Sequence, residues 1–172
     1  MTTIPGTTTN GSPNTTGRSI LALAGFLLLS FSAGALGGRA TYPAIPGWYQ
    51  SLEKPSWTPP SWLFSPAWTT LYILMGVAAW LVWRHGGWRV QKRPLTLFVV
   101  QVVLNALWSI LFFGMRSPAL GMVDIVILWV AILLTLIAFW RVSRVAGALM
   151  VPYLGWVTFA SALNFAIWRL NG

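Results

Sequence analysis

The chain contains no cysteine, so disulfides, thiolate metal sites and thiol nucleophiles are all excluded. Acid is almost as scarce. Glu53 and Asp124 are the only carboxylate side chains, and nothing in the sequence pairs them as general acid and base. The single histidine, His85, stands beside Gly86 and Gly87 in a basic stretch, where it reads as solvated and not as a metal or haem ligand. Phosphate-cradling glycine loops and nucleophile motifs are missing too, which excludes transport driven by this chain's own nucleotide hydrolysis. Charged residues make up only 8% of the chain and apolar ones 56%. Ordinary soluble domains carry about a quarter charged residues, so that class is excluded as well.

What is abundant is tryptophan, twelve in 172 residues, and positive charge, eleven Lys and Arg. The net charge of +9 does not indicate nucleic acid, because the basic residues sit at the ends of apolar runs, as in membrane proteins. Five such runs are expected to cross a bilayer, over about 19–38, 66–83, 94–114, 118–140 and 145–168, each near the ~20 residues that a hydrocarbon core requires. The fold class is therefore an all-α integral membrane protein, a five-helix bundle with a long structured first loop. Residues 1–17, rich in Thr, Asn, Gly and Pro, read as a disordered tail, and 18–172 as the membrane domain. Ser65-Pro66 and Ser117-Pro118 look like helix starts, each a capping hydroxyl before a proline. Pro152 is expected to kink the fifth span. Arg18, Arg84, Arg89, Lys92, Arg93, Arg141 and Arg144 fall on the side of the tail, and Arg39, Lys54, Arg116 and Arg169 on the other. The excess predicts a cytoplasmic N-terminus, with the first loop and the C-terminus on the opposite side.

That loop, Trp48–Trp68, carries four tryptophans and four prolines between two spans. Its rigidity and aromatic content predict a lid over a pocket. Within the spans, Gln101, Asn105 and Trp108 share a helix face that Phe112 continues. Tyr153, Trp156, Ala160 and Asn164 share another, and Trp68, Tyr72 and Met75 a third. Asp124 lies early in the fourth span, where a carboxylate must face the bundle interior or be protonated. Singly, amides and phenols in such positions tie helices together. Jointly they predict the lining of a pocket for a flat, mostly apolar ligand with polar edges. Gly34 and Gly38, with Ala33 and Gly37, give the first span a small face, suited to close packing within the chain or to a dimer contact.

Several of these pieces resemble the tryptophan-rich sensory protein family (TspO), also called translocator protein or peripheral-type benzodiazepine receptor. They are W-Y-x-x-L-x-K-P-x-W-x-P-P at Trp48–Pro60, P-A-W-T-T-L-Y at Pro66–Tyr72, Q-V-V-L-N-A-L-W-S at Gln101–Ser109, Asp124, and the run Pro152–Arg169. The resemblance implies a bundle that is often dimeric and binds protoporphyrin IX, haem and synthetic hydrophobic ligands under the first loop, with no obligatory cofactor. It implies that the pocket includes Tyr49, Trp57, Trp68, Asn105, Trp108, Asp124, Tyr153, Trp156 and Ala160; Tyr72, Gln101 and Asn164 join them from the faces above. It further implies that Trp68 and Trp156 are the catalytic pair in members that degrade protoporphyrin in light. Porphyrin or sterol transport is a third implied activity. The sterol-associated pattern is only partly present, since Phe165 in Leu163–Arg169 replaces a tyrosine. Lys54 or Arg39 is expected to meet the ligand's propionates.

Overall fold

The computed structural model describes residues 13–172, and every regular element among them is helical. Helix α1 runs Pro13–Thr41, α2 Phe64–Trp83, the short α3 Gly87–Val90, α4 Lys92–Ser109, α5 Pro118–Val142 and α6 Arg144–Asn171. All but α3 belong to the five segments long and apolar enough to cross a bilayer. The protein is thus an integral, multi-pass α-helical membrane protein. Residues 13–17, read from the sequence as part of a disordered tail, are the first turn and more of α1; residues 1–12 of that tail lie outside the described residues.

The helix ends follow local chemistry in part. Ser117 caps α5 by accepting a hydrogen bond from the Leu120 N–H at 3.3 Å, and Ser143 does the same for α6 with Ala146 at 3.4 Å. Ser65 does not cap α2. A 3₁₀ turn, Ser61–Leu63, runs straight into the helix at Phe64, leaving Ser65 and Pro66 inside the first turn, where a missing N–H costs nothing. Nor does Pro152 interrupt α6, which is one continuous helix around it.

The helices close into a ring in the spatial order α1, α2, α6, α5, α4 and back to α1. Inside it Met75, Leu95, Phe98, Phe139, Met150 and Tyr153 are fully buried. On the outside, Val123, Val126, Ile127, Val130, Leu134 and Ile137 of α5 are exposed, which suits a face turned to lipid. Two glycines of α1 lie against neighbouring helices. A Cβ on Gly34 would lie 2.5 Å from the Tyr72 ring, and one on Gly37 would lie 2.7 Å from the Ser109 hydroxyl. The small face therefore seats α1 against α2 and α4.

The first loop packs on the bundle end through a second apolar cluster. Trp48 meets Phe112 edge-on at 5.7 Å, Tyr49 meets Phe113 at 5.5 Å, and Trp57 meets Phe159 at 5.8 Å. Two π-helical turns shape this region, Ile45–Tyr49 in the loop and Ile110–Gly114 at the end of α4. The loop is also fastened to α6. The Asn171 side chain accepts from the Glu53 N–H and donates to the Glu53 carbonyl, both at 2.9 Å. Glu53 and Asn171 meet because five crossings bring the first loop and the end of α6 to the same end of the bundle.

Candidate functional site

Under the loop lies a cavity of about 530 Å³. Its walls come from α1, the loop, α2, α4 with its π turn, and α6. Tyr49, Trp68, Tyr72, Trp108, Trp156 and Ala160, all expected from the sequence, line it. Trp68 stacks on Tyr72 at 5.6 Å and meets Trp156 edge-on at 6.5 Å. These three rings form one continuous aromatic wall. Ala160, a helical turn beyond Trp156, keeps the α6 side of the space open.

The remaining expected residues are not on the lining. Asn105, Tyr153 and Asn164 are buried immediately behind it. Tyr72 donates its hydroxyl to the Asn105 carbonyl oxygen at 3.0 Å, and the Asn105 amide donates to the Tyr153 hydroxyl at 3.1 Å. Trp108 donates its indole N–H to the Asn164 side-chain oxygen at 3.1 Å, and Asn164 in turn donates to the Pro118 carbonyl at 2.8 Å. These amides fix the angle of the rings that do face the cavity. Gln101 is deeper still, donating to the Met75 sulfur at 3.7 Å. Asp124 is buried off the lining, with one carboxylate oxygen lacking a partner among the described residues. Trp57 sits outside, half-exposed against Phe159. The physical reason for these displacements is common to all. Helical spacing fixes which residues share a face, not how far across the bundle that face looks.

Lys54 is not available to a ligand. Its ammonium donates to the carbonyls of Tyr49 and Leu52 at 2.7 Å and Gln50 at 3.2 Å, and lies 5.1 Å from the centre of the Tyr49 ring. It ties off the π-helical turn and so braces the lid. Burial raises the Tyr49 phenol above its ordinary value, so it stays neutral and donor-competent at physiological pH.

Residues of α1 on the lining, among them Phe31, Gly34, Ala35, Gly37 and Gly38, carry no chemical signal in the sequence. Gly34, Gly37 and Gly38 drew notice only as a packing face. Phe113 is likewise on the lining, turned there by the π turn, whose Met115 N–H reaches back to the Ile110 carbonyl at 2.8 Å. A further feature bears on chemistry. The Trp156 indole N–H, in the cavity wall, is buried and has no partner among the described residues. That N–H is turned into the packing and not onto the open surface of the cavity, so an acceptor reaches it only by a turn of the ring.

Fold and site together define a multi-pass membrane protein with an aromatic ligand-sized cavity roofed by a fastened loop. Residues 26–169 match the TspO/MBR family, and the chain belongs to it. The tryptophan-rich protein TspO of Archaeoglobus fulgidus is 46% identical over 89% of this chain and 99% of its own length. The tryptophan-rich sensory protein of Cereibacter sphaeroides is 40% identical over 84% of this chain and 91% of its own. The human translocator protein is 38% identical over 86% and 88%.

Proposed function

We propose that this protein is a membrane receptor for tetrapyrroles, protoporphyrin IX or haem, with a sensory role in their handling. The observation that carries this reading is the aromatic wall that Trp68, Tyr72 and Trp156 present to the cavity. Flat macrocycles stack on such faces. The cavity volume lies within the ~300–1,000 Å³ typical of small-molecule sites. Arg39, exposed in the last turn of α1, is the candidate partner for a propionate, since Lys54 is spent on backbone carbonyls. Relatives carrying the words sensory and translocator in their names agree with ligand handling of this kind.

The test is a titration of the purified protein with protoporphyrin IX, followed by tryptophan quenching. The Trp68→Phe, Trp156→Phe double variant is expected to bind at least about tenfold more weakly, the loss of roughly 1.4 kcal/mol. Binding as tight as wild type removes the site.

The contact chain Trp156–Trp68–Tyr72 also favours a second reading, light-driven degradation of the bound porphyrin, since those rings are oxidisable and touch one another. Illumination with and without oxygen decides it. A bleaching rate equal to that in detergent alone excludes catalysis.

A further inference from the structure

The cavity lining is not evenly shielded. Its inner wall, Tyr72, Trp108, Trp156 and Ala160, is partly covered by the bundle. Phe31, Ala35 and Tyr42 in and just after α1, Ser65 and Thr69 on α2, and Ser61 in the 3₁₀ turn before it line the same space and are exposed. Exposed residues that also line a cavity mark its mouth. This mouth therefore runs along the gap between α1 and α2, on the flank of the bundle, from Phe31 to Tyr42 and Ser61 at the loop end.

Its depth can be read along the helices. Phe31 stands about 15 Å from Thr41 at 1.5 Å per residue, which is about midway through a hydrocarbon core of roughly 30 Å. The floor is the contact of the Phe31 and Tyr72 rings at 5.9 Å. On the α2 side of the rim, the Thr69 hydroxyl is already spent on the Ser65 carbonyl at 2.9 Å, which suits a hydrocarbon surrounding at that point. At its centre Ala35 offers a methyl group and no obstruction. By contrast, the loop above is held by Asn171 at Glu53 and by Lys54 on its own carbonyls.

We propose that the cavity exchanges its contents sideways with the bilayer, through the gap between α1 and α2. Its ligands are then molecules that partition into hydrocarbon first and reach the aromatic wall from within the membrane. This rests on the cavity being the ligand site, but not on the ligand being a tetrapyrrole.

The absence of cysteine permits a test that needs no ligand. Ala160→Cys puts a single thiol in the inner wall. In vesicles, a hydrocarbon-soluble maleimide is expected to label it, and a charged, membrane-impermeant maleimide to label it far more slowly. Adding Ala35→Trp, a ring in the mouth, is expected to slow the soluble reagent about tenfold, the effect of an added barrier of about 1.4 kcal/mol. Adding Ala35→Ser, which fills nothing, should leave the rate unchanged. Ser109→Cys, on the α4 wall of the same cavity, repeats the measurement should the first thiol disturb folding. The proposal is overturned if the charged reagent labels as fast as the soluble one. It is equally overturned if the tryptophan leaves labelling unaltered, or if only denatured protein reacts. A protein that fails to bind protoporphyrin would sink the tetrapyrrole reading and leave this result standing.

Discussion

Asn105 ties two phenols together. Its amide joins the Tyr72 hydroxyl to the Tyr153 hydroxyl across three helices, in an interior that offers no water to replace it. Asn105→Ala is expected to orphan both phenols and destabilise the fold by about 1–3 kcal/mol, read as a fall in the detergent melting temperature. Tyr72→Phe should cost less, about 0.6–1.7 kcal/mol, because it removes one bond and leaves no buried donor behind. Equal losses would mean that Asn105 does not bridge. Trp156 tests the opposite case, a donor lacking a partner in the protein. Trp156→Phe keeps a ring against Trp68 but deletes the N–H, so it should leave stability near wild type. Porphyrin affinity should fall by about 0.5–1.5 kcal/mol, the worth of one hydrogen bond; unchanged affinity would mean that the indole N–H does not meet the ligand. The sequence singled out all of these residues, yet put Asn105, Tyr153 and Asn164 on the lining when they stand behind it. A period of 3.6 aligns Asn105 with Trp108, but the long indole reaches the cavity while the short amide stops at the next helix.

At the scale of whole helices, the five spans and their approximate limits follow from hydropathy alone, because nothing else satisfies so many consecutive apolar residues in a bilayer. Which helix touches which does not follow, and neither does the π turn at Ile110–Gly114, where one extra residue per turn brings Phe113 to the cavity while Phe112 stays buried. Nothing in I-L-F-F-G announces that change of pitch. Pro152 stands inside α6 without ending it, since neighbouring helices let a helix continue through a proline. The glycines of α1 gave two readings, packing within the chain and a dimer contact, and Gly34 and Gly37 supply contacts for the first. Gly34→Leu would drive a side chain into the Tyr72 ring, at a place where even a methyl group arrives at 2.5 Å. Overpacking of this kind costs typically about 1–3 kcal/mol. The expected outcome is lower thermal stability of the monomer together with loss of the Tyr72-to-Asn105 geometry. A stable monomer that has lost only self-association would assign the glycines to a dimer instead.

Taken as a whole molecule, the bundle is closed at its loop end by fastenings that lie far apart in sequence. Asn171 grips both backbone groups of Glu53, reproducing with one amide side chain the pairing that a neighbouring strand would supply. Lys54, the next residue, gathers the carbonyls that the π-helical turn leaves open. Because Trp48 and Tyr49 rest on Phe112 and Phe113, and Phe113 and Tyr49 line the cavity, slack in the fastening is transmitted to the roof. Asn171→Ala removes the grip without touching the lining. Amide exchange over 45–58 is expected to rise, with exchange in the middles of α4 and α5 unchanged, since apolar packing and not the latch holds those helices. Lys54→Met should raise exchange more narrowly, over 49–52. If neither change appears, the loop is held by its aromatic contacts alone. If exchange rises along α6 as well, the latch is part of the bundle's stability and not a property of the lid.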